Sequence, residues 1–164
     1  ILQHGPGDWL YQHVHHIYCY LGWAIWWASP RPTMMSKLFK RSDLPTNQPA
    51  LAKALSAMAS SLMYKQDHLN TMYYTALLSK EVSETEAIRQ FERFLSLAPE
   101  CDRYVPRAHY RLATLYSQQQ DRQKVIQHFE RGQQREANRL PRFGEVLRSI
   151  KVPARKAYEQ CLSK

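Results

Sequence analysis

The chain has 164 residues and a mass of 19.3 kDa, the size of one domain with at most a short extension, so a second enzyme-sized domain is excluded. Hydrophobic residues at 44% supply enough apolar surface for a core, while 5 Gly against 9 Pro is too few glycines for a phosphate-cradling α/β enzyme or a turn-rich all-β fold. A formal net charge of +9 favours anionic partners, and residues 122–164 concentrate it with 11 Lys/Arg against 4 Asp/Glu.

Asp8 can cap a helix that begins at Trp9 and runs to about Ala28, where Ser29-Pro30-Arg31-Pro32 must end it. Seven aromatics (Trp9, Tyr11, Tyr18, Tyr20, Trp23, Trp26 and Trp27) fall within nineteen positions of this helix. A helix apolar on nearly every side cannot be solvated on any of them, so most rings are expected to be buried and some to face a partner, a second subunit or the next loop. Its most apolar stretch, Val14 to Ala28, is about half as long as a bilayer span requires once His15 and His16 are discounted, so no transmembrane helix is expected.

Residues 29–49 carry Pro30, Pro32, Pro45 and Pro49 and read as a long loop with one short helical turn around Met35 to Phe39. Apolar positions then recur at helical spacing. Leu51, Ala54, Leu55, Met58, Leu62 and Met63 define one face; Leu69, Met72, Tyr73, Ala76 and Leu77 define the next. Ser83 and Glu86 form a capping box for a third helix carrying Ile88, Phe91 and Leu95, which stops at Ala98-Pro99. A fourth follows Pro106 with Ala108, Leu112, Ala113, Leu115 and Tyr116, and a fifth follows Asp121 with Val125, Ile126 and Phe129. Weaker helices are expected after Pro141 and after Pro153.

Two of these helix pairs are alike. The apolar positions of Tyr74-Thr75-Ala76-Leu77-Leu78…Ala87…Phe91…Phe94 match Leu112-Ala113-Thr114-Leu115-Tyr116…Val125…Phe129…Gly132 at an offset of 38 residues. Helix pairs of this length stack only if small residues stand where they cross, and Thr75, Ala87, Ala108 and Ala113 are suited to that. On the segment Ala108 to Phe129, and on Glu86 to Pro99 for a second helix and its stop, the chain resembles the tetratricopeptide repeat family over residues 68–138. His109 or Tyr110 stands where the family favours Trp, Gln120 replaces its turn Gly, and Val125 replaces Ala.

The resemblance implies an all-α fold of stacked antiparallel helix pairs in a right-handed solenoid. Residues 1–49 are then an aromatic first helix with an inserted proline-rich loop, 50–138 the helix pairs, and 139–164 basic capping helices, in one continuous domain. It also implies a concave groove lined by Arg107 and Arg111, with Tyr74 and Tyr110, where a partner's peptide, acidic segment or helix binds. Arg131, Arg135 and Arg139 recur at i, i+4 and i+8, with Arg142 beyond, as a basic surface. A solvated terminal face explains that stripe; phosphate tracking by an RNA-binding repeat is the alternative.

Other chemistry is sparse. His15 and Cys19 share a helix face, with His13 and His16 beside them, but no second Cys/His pair has metal spacing, so neither metal nor cofactor is expected. No P-loop, GxSxG, HExxH or paired-carboxylate pattern occurs, and no enzyme is expected. Three scattered cysteines, Cys19, Cys101 and Cys161, argue against a disulfide framework and for a reducing cytoplasmic or nuclear setting. The start at Ile1 reads as that of an excised fragment, and a homo-oligomer through the aromatic helix is a further expectation.

Overall fold

The computed structural model describes residues 6–29, 48–137 and 144–163, and these are all-helical, with seven helices and no strand. The expected turn at Met35 to Phe39 lies outside the described residues. The chain divides into two compact units, residues 1–78 and 79–164. Among the described residues no helix is long and apolar enough to cross a membrane.

The first unit holds α1 (Pro6–Ala28), α2 (Gln48–Tyr64) and α3 (Leu69–Ser79). α1 starts two residues before the expected cap, with Pro6 as its first residue, where a missing N–H costs nothing. Along α1 and α2, His15 meets Ser61 and Gly22 meets Ala54, so the two run antiparallel. A Cβ on Gly22 would stand 2.8 Å from the carbonyl oxygen of Ala54, so this crossing admits only glycine without a backbone shift. Cys19, Leu51, Ala54, Met58 and Leu78 form the core, with Trp23, Trp26 and Tyr74 packed against it. The inward face of α2 differs from the expected one at its end: Ser61 is fully buried and Met63 is 83% exposed. The reason lies in α1, whose His15 carbonyl gives the Ser61 hydroxyl an acceptor at 2.7 Å.

The second unit holds α4 (Glu84–Leu97), α5 (Val105–Gln118), α6 (Arg122–Ala137) and α7 (Gly144–Leu162). Ser83 caps α4 by accepting from the Glu86 N–H, a long bond of 3.5 Å. The reciprocal half of the capping box is absent, because the Ser83 N–H goes to the Ser79 carbonyl and the Glu86 carboxylate to Arg89 and Gln90. α5 ends in a Schellman motif in which Gln120 donates to Ser117 and Asp121 to Tyr116, with Gln120 in the left-handed region at φ 61°. Asp121 then caps α6 through its side chain to the Lys124 N–H at 3.1 Å.

Burial repeats at the 38-residue offset on the second helices: Ala87 with Val125, Phe91 with Phe129, and Phe94 with Gly132 are all buried. Phe129 packs with Tyr110, Ala113, Ile150 and Ala154. The expected break at Pro153 does not occur, and α7 runs through it. Ile150, Ala154 and Ala157 bury one stripe of α7, while Tyr158 stacks on Phe129 at 4.6 Å, and this packing outweighs the backbone bond that proline removes.

Candidate functional site

Nine of the residues on α5 are buried, from Val105 to Tyr116, and the stripe left partly open carries Arg107, Arg111 and Thr114. The two arginines stand one helical turn apart, both half-buried. The Nε of Arg107 and the Nε of Arg111 are buried and have no hydrogen-bond partner. The guanidinium carbon of Arg107 lies 5.5 Å from the centre of the Tyr104 ring, within cation–π range.

The two tyrosines expected beside them have other roles. Tyr110 is fully buried at 0% exposure, so it offers no surface to a peptide and is a core residue; its ring meets the Cα of Gly132, and its hydroxyl donates to Glu136 at 2.5 Å. Lys151 donates to the same carboxylate at 2.6 Å. Burial alone would raise the Glu136 carboxyl, but the bonds from Lys151 and Tyr110 outweigh it and hold it below the usual carboxylate range. Tyr74 belongs to the first unit, where its ring stacks on Trp23 at 4.4 Å.

The basic stripe is less uniform than its spacing suggests. Arg131 is exposed, whereas Arg135 is half-buried and forms a two-pronged ion pair with Glu100. Arg139 and Arg142 lie outside the described residues. Arg131, Arg135 and Lys124 edge a groove of about 650 Å³ between α4, α5 and α6, in whose wall stand His109 and His128.

Those two histidines are a pair that the linear sequence does not announce. They come from different helices, and their Nδ1 atoms lie 3.0 Å apart. One must donate and the other accept, so the rings are opposite neutral tautomers. Burial lowers both, helped at His109 by His128 and then Arg131 and at His128 by Arg131, so that His109 falls to about 3 and His128 to about 4. Tyr116 stacks on His128 at 5.5 Å, donates its hydroxyl to Glu92 and accepts from Lys124 at 3.2 Å.

The first unit holds a second histidine group. His15 and His16 on α1 meet His68, the residue preceding α3, with ring centres 4.1 Å apart for the adjacent pair and 4.6 Å from His68 to each. Cys19, expected to share a ligand face with His15, is turned instead towards Thr71, and burial pushes its thiol up. His68 lies more than fifty positions further along the chain than His15, which is why spacing along the sequence did not mark it. The one local signal is that His68 and Thr71 stand three apart at a helix start, the spacing of a cap.

None of Cys19, Cys101 and Cys161 is in a disulfide. No protein-family model, curated protein or solved structure matches the chain, so the reading of these sites rests on their geometry alone.

Proposed function

We propose that this chain is a non-catalytic scaffold of stacked helix pairs, arranged like a tetratricopeptide solenoid, that binds an acidic peptide segment of a partner protein along α5. The observation that carries the reading is the pair of buried, unpartnered Nε atoms on Arg107 and Arg111. A guanidinium donor held out of water without an acceptor is costly, and a carboxylate laid across both arginines removes that cost with charge-assisted bonds. Two forks one turn apart suit two successive acidic groups, or a side-chain and a terminal carboxylate.

The alternative, RNA held on the basic face of α6, has less support, because Glu100 already engages Arg135. The exposed apolar stripe Ile17, Tyr20, Leu21 and Trp27 on α1 supports self-association through that helix. Three cysteines outside any disulfide support a reducing cytoplasmic or nuclear setting.

The test is fluorescence polarisation with a labelled Asp/Glu-rich peptide that ends in a free carboxylate, beside a single-stranded RNA of matched length. Replacing Arg107 and Arg111 together by Ala is expected to weaken the peptide by about 2 kcal/mol, roughly 30-fold, with little change in melting temperature. Unchanged peptide binding in that variant, with loss of RNA binding on Arg131→Glu, would move the site to α6.

A further inference from the structure

Three imidazoles from two places in the chain converge in the first unit. His15 and His68 are buried and His16 is half-buried, and one nitrogen of each ring lies within 4.8 Å of one nitrogen of the others. Hydroxyls behind the cluster decide which nitrogen His68 presents. Ser61 Oγ gives its single proton to the His15 carbonyl at 2.7 Å, since a carbonyl can only accept. In the 2.8 Å contact between Ser61 and Thr71 the proton must therefore come from Thr71. Thr71 then has none left for His68 Nδ1, 2.6 Å away, so the ring donates. His68 is fixed as the Nδ1–H tautomer, and the lone pair sits on Nε2. The Cys19 thiol, within hydrogen-bonding reach of Thr71, is held protonated and adds no competing thiolate.

We propose that His15, His16 and His68 bind a divalent transition-metal ion of the Zn²⁺ class, with His68 Nε2 as one ligand and a water on the half-exposed His16 side as the fourth. Neutral imidazoles that donate their other N–H to an oxygen acceptor are the usual ligands of such ions, and the Thr71–Ser61 relay to the α1 backbone is the outer support that orients one of them. Mg²⁺ and Ca²⁺ require oxygen donors, and the cluster has none. The ring nitrogens need only draw together to roughly 3.4 Å for tetrahedral coordination at about 2.0–2.1 Å. His68 is already neutral at pH 7, lowered to about 4 by burial and then by His15 and His16. Of the other charged groups that act on the cluster, Lys65 opposes a cation and Asp67 favours one; His13 stands beside His16 on α1 with ring centres 6.0 Å apart. Bound there, the ion ties α1 to the turn between α2 and α3, so its binding energy adds to the stability of this unit.

The experiment is a Zn²⁺ titration of the full chain, free of any affinity tag, at pH 7.5 against a chromophoric chelator, with melting followed by circular dichroism. One Zn²⁺ per chain at micromolar or tighter affinity and a higher melting temperature are expected. His16→Ala and His68→Asn should each abolish that binding; Asn keeps a polar group at the start of α3. Thr71→Val should weaken it by roughly 10- to 100-fold, because the tautomer is no longer fixed. Failure to compete with the chelator overturns the proposal, and so does Zn²⁺ affinity that is unchanged in folded His16→Ala or His68→Asn protein.

Discussion

Both units bury histidines, and they satisfy them in opposite ways. In the second unit His109 and His128 face each other, Nδ1 to Nδ1 at 3.0 Å, and each ring is the partner of the other. In the first unit the proton of His68 is led away from its neighbours, through Thr71 and Ser61 to the backbone of α1, and Nε2 stays free to accept. The same residue at the same burial is therefore held by another imidazole in one place and by a hydroxyl relay in the other. What differs is the group behind the ring: in the pair one imidazole gives its Nδ1 proton to the Nδ1 lone pair of the other, whereas at His68 a hydroxyl chain that ends on a carbonyl takes the proton. Neighbouring arginines accentuate the contrast, since Arg131 and Arg135 discourage a cation at His109 and both Asp67 and Lys65 act at His68.

The largest expected effect tests the second unit's frame, on which the histidine pair depends. Phe129 packs between Tyr110 and Tyr158 with 1% of its surface exposed. Phe129→Ala should cost about 3–5 kcal/mol in urea denaturation. A loss under about 1 kcal/mol means that Phe91 and Phe129 are not equivalent core positions.

Acid comes next and acts on both groups. His68, His109 and His128 have folded values lowered to about 4, 3 and 4, against an unfolded value near 6.5. The unfolded chain binds the extra protons first, so the stability these rings contribute is whole above about pH 6.5 and is lost as pH falls towards 4. In metal-free buffer, stability should drop by about 2 kcal/mol or more between pH 6.5 and 4.5. Replacing His109 and His128 together by Gln should make the fall shallower but not remove it, because His68 still titrates. A flat profile in the unsubstituted chain contradicts the assignment of neutral, buried rings.

The smallest effect concerns the turn that leads into α6 and sets His128 opposite His109. Gln120 adopts φ 61°, a conformation in which a side chain is strained and glycine is not. Gln120→Gly should raise stability by about 0.5–1 kcal/mol, read from the urea midpoint. Destabilisation there means that the turn is not held in the left-handed region.

Much of this architecture was legible from periodicity, because the second unit is built of helices with one apolar face each. Phe91, Phe94 and Phe129 stand where the 3.6-residue pattern puts them, and the Ser83 and Asp121 caps follow from local chemistry. Three kinds of information were not legible. Tertiary packing overrode a local rule at Pro153, where the apolar stripe of α7 holds the helix together. Long-range partners decide the burial of Ser61 and the engagement of Arg135, whose acceptors, the His15 carbonyl and Glu100, lie 46 and 35 positions away. The histidine cluster was invisible for the same reason. Its donors share a helix face only in part, and the third comes from a turn that folding alone brings to α1. Arg107 and Arg111 were placed on one face by their spacing, but that their Nε atoms would be buried without an acceptor required the structure.

Tautomers are directly observable, and they carry the contrast between the two histidine groups. Long-range ¹H–¹⁵N correlation spectra of ¹⁵N-labelled, metal-free protein at pH 7.5 distinguish a protonated ring nitrogen from a bare one in each histidine. The expected result is a neutral His68 protonated on Nδ1, with His109 and His128 split into one tautomer of each kind. A His68 protonated on Nε2, or on both nitrogens, contradicts the relay through Thr71 and Ser61 and with it the open ligand position in the first unit.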